Sequence, residues 1–259
     1  MFSETISKFA SEGRSCFSFE ELRQREDSSP VALRSAIRRS LKKGDIAMPQ
    51  RGFYVILPPE YRSLGCLPAE QFIPELMDHL GEVYYAGLLS AAEYHGAAHH
   101  RPQVFQVVVA KPRREIKCGK VKVDFVVRKN ADAIPTQPRN TPAGILKLSS
   151  PEATAFDLVG YFKHCGWLDN VATVLAELAE KVDARKLVAV ADLSPISWAQ
   201  RLGYLLDLVG ATQIARPLAE YVDNKKPVRT PLLPSVKLKG AKTDSRWRVF
   251  INAEVESEV

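Results

Sequence analysis

Two adjacent prolines, Pro58 and Pro59, divide this 259-residue chain. Neither has a backbone N–H to give to a strand ladder or a helix turn, so no strand or helix interior runs through Leu57-Pro58-Pro59-Glu60-Tyr61. The residues before that break must close on themselves, which sets the expected domains at 1–60 and 61–259.

Three helical patterns occupy the start of the first domain, at 3–12, Phe19 to about Arg25 and Pro30 to Lys43, and two short apolar runs follow, joined by Pro49-Gln50-Arg51-Gly52. Helix, helix, helix, hairpin is the order of a winged helix-turn-helix. Ser18 is placed to cap the second helix, with Glu20 and Glu21 at its positive end; Ser29-Pro30 starts the third and Gly44 ends it.

On the third helix Leu33, Ile37 and Leu41 recur every fourth residue, and Arg34, Arg38 and Lys42 follow one residue later. At about 100° per residue, an apolar and a basic stripe then lie side by side. Between Ser29 and Lys43 there is no acid to offset Arg34, Arg38, Arg39, Lys42 and Lys43, although residues 1–60 hold ten basic and eight acidic side chains. Charge is thus concentrated on one helix. An α-helix fits the major groove, where Arg donates two parallel hydrogen bonds to guanine and Lys meets phosphates. Arg34 and Arg38 are the candidates for base edges; Arg39, Lys42 and Lys43 for phosphates; Arg51, at the hairpin tip, for the backbone or minor groove. Ser29, at the helix start, completes the expected DNA-binding set. The competing reading is a solvated charged face, against which stand the capped helix pair and the Arg-tipped hairpin.

Beyond the prolines, helices are expected over 69–80 and, buried, over 87–97, where Leu88, Leu89, Ala91 and Ala92 are apolar. QVFQVVV (103–109) and VKVDFVV (121–127) read as neighbouring strands with a third near Ile116. Ser149-Ser150-Pro151-Glu152 begins another helix, and helical patterns follow at about 167–181, 183–191, 195–209 and 211–223. After Pro227 the helix signals stop, and RWRVFINAEV reads as a strand that would join the central sheet. The expected fold class is α+β, a winged helix-turn-helix followed by a mixed C-terminal domain of small sheet plus helical bundle.

Apolar side chains make up 46% of the chain and charged ones 25%, enough for a sizeable core. The excess of 36 Lys+Arg over 30 Asp+Glu, a formal charge of +6, suits an anionic partner. Cys16, Cys66, Cys118 and Cys165 are too far apart for a zinc knuckle or a disulfide framework. MFSETISKFASEGR lacks a secretory pattern and no window suits a membrane span, so a cytoplasmic protein without membrane partners is expected.

RGFYVILPPEY (51–61), YYAGLLSAAEYHG (84–96), SSPEATAFDLV (149–159) and RWRVFIN (246–252), in this order and spacing, resemble the AbiEi-family antitoxins of AbiE-type (type IV) toxin–antitoxin operons. The resemblance spans nearly the whole chain. It implies a phage-defence antitoxin that is also a transcriptional autorepressor: the winged helix binds double-stranded repeats in its own promoter, and the C-terminal domain neutralises a co-encoded nucleotidyltransferase-like toxin, with or without direct contact. It names no catalytic residue, and neither enzyme activity nor a cofactor is expected.

Lys111, Arg113, Arg114, Lys117, Lys120 and Lys122 form a possible second basic surface. They belong to a segment, 101–129, with nine basic residues against Glu115 and Asp124; residues 225–248 hold eight against Asp244. Either could lengthen a DNA footprint or meet an anionic toxin surface or its RNA substrate; exposed Lys and Arg also deter edge pairing. His95 and His99 have an i, i+4 spacing, but no H-E-x-x-H is completed and no metal site is expected. Asp124 lacks the second carboxylate of a nucleotidyltransferase at Val126, and Glu115-Ile116-Lys117 lacks the upstream Asp of a nuclease core. Trp167, Trp198 and Trp247 fall in apolar patterns and read as core. Two other functions stay open: a winged-helix adaptor for RNA or a protein, and a metal-dependent nuclease.

Overall fold

α1 (Phe2–Ser11), β1 (Cys16–Ser18), α2 (Phe19–Arg25), α3 (Pro30–Lys43), β2 (Ile46–Gln50) and β3 (Phe53–Ile56) open the computed structural model, which describes residues 2–97 and 102–256. β3 lies between β1 and β2, antiparallel to both, with Cys16 opposite Val55 and Ala47 on the other side of the same residue. Phe9, Phe17, Leu22, Leu33, Ile37, Ile46 and Tyr54 close the core beneath α1–α3, and Phe17 stacks between Phe9 and Tyr54 at 5.4 and 5.3 Å. The apolar stripe read on α3 is therefore its packed face.

The start of α2 is a capping box. Ser18 Oγ accepts from the Glu21 N–H at 3.1 Å, and Glu21 Oε2 accepts from the Ser18 N–H at 2.7 Å. Arg14 adds an ion pair to Glu21 at 2.6 Å. Burial alone would raise the Glu21 carboxyl, but the Ser18 N–H and the Arg14 guanidinium outweigh it and hold it below the usual carboxylate range. A carboxyl depressed on folding stabilises the folded form above its unfolded pKa of about 4.3 and loses that contribution as pH falls through the lower folded value. Glu21→Gln is accordingly expected to lower the melting temperature at pH 7 and to change it far less near pH 3. Equal losses at both pH values would place the effect in packing instead.

A 3-10 turn, Pro59–Tyr61, starts at the second of the two prolines. Next come α4 (Ala69–His79), β4 (Tyr84–Ala86), α5 (Leu88–Tyr94), β5 (Phe105–Val109), β6 (Ile116–Cys118), β7 (Val121–Val127), β8 (Thr136–Thr141) and β9 (Gly144–Ser149). Their strands make a sheet in the order β6-β7-β5-β4-β9-β8. β5 and β7 are neighbours, as expected, and parallel, with Phe105 opposite Val123; β6 is antiparallel to β7, with Ile116 opposite the same Val123. The chain leaving β5 must therefore pass the end of β7 to reach β6 on its far side. Gly119, at the turn into β7, has φ +56° and sits against the backbone of Leu64 and Gly65, where no Cβ fits. The Lys120 N–H donates to Leu64 O at 2.8 Å across that contact.

The chain clusters into two compact units, and each draws on several stretches. One holds Met1–Tyr85, Gln103–Ala131 and Pro138–Lys147; the other holds Ala86–Pro102, Asp132–Gln137 and Leu148–Val259. The second is built around α6 (Pro151–Gly160), buried from Pro151 to Val159 and packed on α5, α7 (Trp167–Leu178), α8 (Ala184–Ala191) and α9 (Ile196–Leu208). A helix covered on every side belongs inside a bundle, and its buried polar side chains must find partners there. α10 (Thr212–Lys225) packs on α8 and α9.

Two expectations for this unit need correction. The C-terminal strand does not join the central sheet: β12 (Val249–Ile251) lies between β10 (Thr230–Pro231) and β11 (Lys242–Asp244) in a sheet of its own. Helix α9 holds it there. Gln200 Nε2 donates to the carbonyls of Val228, Trp247 and Arg248 at 3.1–3.2 Å, and Arg201 Nε donates to Pro231 O at 2.9 Å. Trp167 is also not core. It opens α7 with φ +70° and is 49% exposed, its ring tilted over Phe162. Trp247 is fully buried and Trp198 lies over Gly160.

Candidate nucleic-acid interface

With Leu33 and Ile37 buried and Leu41 packed against the same core, the opposite side of α3 turns outward, and Arg34, Arg38, Arg39, Lys42 and Lys43 are all exposed. Arg38, Arg39, Lys42 and Lys43 have no ion-pair partner among the described residues. Arg34 is steadied by the Phe19 ring, its guanidinium 5.4 Å from the centroid. It also acts on Tyr54, whose phenol is raised by burial and by Glu20 while Arg34 opposes the rise. Ser29 has a structural task, since its Oγ accepts from the Ala32 N–H at 3.2 Å and caps the helix. Arg51 is exposed at the turn between β2 and β3, next to Gly52 with φ +83°.

Val31 escaped the sequence reading. It is 71% exposed at the second position of α3 and shares the outward side with Arg34 and Arg38. Its signal was present, because a β-branched apolar residue outside the 33–37–41 stripe has no core to enter.

All six residues of the second basic set fall in the same compact unit as α3 and Arg51. Lys111, Arg113 and Arg114 ride the crossing from β5 to β6; Lys117 is on β6, Lys120 at the turn and Lys122 on β7. Arg113 is half-buried, paired with Glu82 at 3.3 Å and stacked over Phe125 at 5.9 Å. Lys117 pairs with Glu115, so the E-x-K string is an exposed ion pair. Asp124 faces Gln106 in register, not a second carboxylate. Among the described residues no group of three His, Cys, Asp or Glu comes together to hold a metal, and His99 and His100 lie outside those residues.

From Tyr85 to the end of α9 the chain matches a known family: residues 85–208 fit the model of the AbiEi antitoxin C-terminal domain. That stretch is similar to an AbiEi antitoxin domain. The resemblance read from the sequence is thereby borne out over these residues, which hold two of its four strings. In SSPEATAFDLV, Ser150 Oγ caps α6 by accepting from the Ala153 N–H at 3.2 Å. Thr154 Oγ1 donates to Ser150 O at 2.9 Å and lies 2.7 Å from Ser149 Oγ. Glu152 Oε1 accepts from the Asp183 N–H at 2.9 Å and so fixes the start of α8. In YYAGLLSAAEYHG, His95 Nε2 lies 2.8 Å from Ser149 O and ties α5 to the same corner. These two strings are thus anchors of the fold. The Rv2827c protein of Mycobacterium tuberculosis has a similar fold, with a TM-score of 0.66 at 18% identity over 99% of this chain and 91% of that one. Comparison with curated proteins gives no match.

Proposed function

We propose that the protein is an antitoxin that also represses its own operon. Residues 1–60 act as a winged helix-turn-helix on promoter DNA, and residues 61–259 as the body that neutralises a co-encoded nucleotidyltransferase-like toxin in the cytoplasm. The observation that carries the DNA reading is the outward face of α3, where four cations stand without ion-pair partners among the described residues, on a capped helix beside an Arg-tipped turn. The strand-helix-helix-hairpin order around it supports the winged-helix assignment. On this reading Arg34 and Arg38 donate to guanine edges, Val31 meets a thymine methyl, and Arg39, Lys42, Lys43 and Arg51 take phosphates. Ser29 contributes by fixing the helix start.

The antitoxin half rests on the matched family. It requires recognition of a toxin or its effects and no catalysis. The two halves separate in one strain that carries the toxin gene and a reporter behind the chain's own promoter. Arg34→Ala/Arg38→Ala should release the reporter while cells stay protected from the toxin. Loss of protection together with repression, at equal protein level, would overturn the division of labour.

A further inference from the structure

We propose that the β6–β7 hairpin and the crossing that leads into it form a second phosphate-binding segment, which continues the duplex DNA footprint past the β2–β3 turn. The inference rests on the DNA-binding reading of α3 and adds a surface that α3 does not supply.

Topology brings the two together. Because β7 lies between β5 and β6, the crossing carries Lys111, Arg113 and Arg114 around the end of β7. There, a groove of ≈ 280 Å³ has Gln50, Glu82, Arg113, Arg114, Glu115 and Phe125 in its lining, with Glu82 paired to Arg113. Gln50 directly precedes Arg51 at the β2–β3 turn, and β6 packs along β2. The exposed cation of the turn and those of the crossing therefore border one surface.

The strands themselves carry the stronger sign. Lys117 and Lys122 are directly opposite in the antiparallel ladder, while Ile116, Cys118, Val121 and Val123 on the reverse face are buried. Like charges opposite one another destabilise a strand pair. Glu115 answers Lys117, but Lys122 has no ion-pair partner among the described residues, and neither do Lys111, Arg114 and Lys120. Six basic residues and one acid between 110 and 123 thus leave four uncompensated cations in a row from the crossing to the turn. A row of this kind suits a repeating line of phosphates, with no base contacts required.

The test uses the full chain and Arg114→Ala/Lys120→Ala/Lys122→Ala, three exposed positions outside the proposed reader. Affinity is measured against salt on a long duplex of the chain's own upstream DNA, on the same duplex trimmed to the segment that α3 protects, and on scrambled DNA of the long length. On the long duplexes the variant's slope of log K against log salt should be shallower by about 2 to 3, since each lost phosphate contact removes about 0.9. On the trimmed duplex the two proteins should match, and the preference for upstream over scrambled DNA should survive. Lys122→Ala alone should leave the melting temperature unchanged or raise it. Identical slopes on every duplex would overturn the proposal, as would identical slopes accompanied by lost toxin protection, which would assign the surface to a protein. A wild-type protein without sequence preference, but with the same length-dependent slope difference, would sink the α3 reader and leave this surface standing.

Discussion

Replacing Trp247 with alanine will destabilise the second unit by about 3–5 kcal/mol, the range for removing a fully buried large aromatic side chain. The ring fills the space over Gly203 in the middle of α9, where a Cβ would overlap it. Its Nε1–H donates to Asp207 Oδ2 at 2.6 Å, and its backbone N–H donates to Asp244 Oδ1 at 2.7 Å. The substitution removes the packing that fastens β12 to α9 and leaves Asp207 to Arg246 alone, 3.1 Å away. The pair also carries a sign reversal. Gly203→Ala will be strongly destabilising in the native protein, because the ring has no room to retreat. In the Trp247→Ala background the same change should stabilise by up to about 1 kcal/mol, the helix-propensity difference between alanine and glycine. Urea unfolding of the four proteins measures both effects. A Gly203→Ala protein as stable as the native one would show that the ring does not lie on α9.

The second large effect is on binding. Arg34→Ala/Arg38→Ala is expected to weaken binding to the chain's own upstream DNA by on the order of 10² to 10³, since each bidentate Arg–guanine contact contributes about 1–3 kcal/mol. Scrambled DNA should lose far less, because Arg39, Lys42, Lys43 and Arg51 remain for phosphates. Stability should barely change: both side chains are exposed, and the Phe19 contact of Arg34 is worth at most about 1 kcal/mol at an exposed site. Gel-shift titrations with a melting curve as control decide the matter. An equal loss on both duplexes would make the two arginines phosphate contacts.

The N-terminal elements were legible because their signals are local. Ser18, Ser29-Pro30 and Gly44 mark helix ends through their own backbone chemistry, and α2 begins, and α3 begins and ends, where those residues place them. β1 was invisible, since three residues are too few to show a period of two and its pairing with β3 is made across α2 and α3. β8 was missed for another reason: TQPRNT has no buried residue and is exposed from Thr136 to Asn140, so no buried face writes an alternation into it. β4 was hidden by its neighbour, because Tyr84-Tyr85-Ala86 continues smoothly into an apolar helix.

The tail failed on tertiary grounds. RWRVFIN does contain a strand, but its partners are set by Gln200 and Arg201, polar residues whose burial nothing in their own helix pattern announces. For the candidate site, the basic stripe on α3 was readable from spacing alone. That the 111–122 cations share a unit with it was not, because that follows from β7 threading between β5 and β6.

The most direct measurement of the DNA-reading claim is the affinity of the purified full chain for its own upstream duplex and for a scrambled duplex of equal length, at one physiological salt concentration. A preference of about 10³ or more for the upstream duplex is expected of a specific reader. Equal affinity for the two would contradict the claim and leave α3 a basic face without sequence to read.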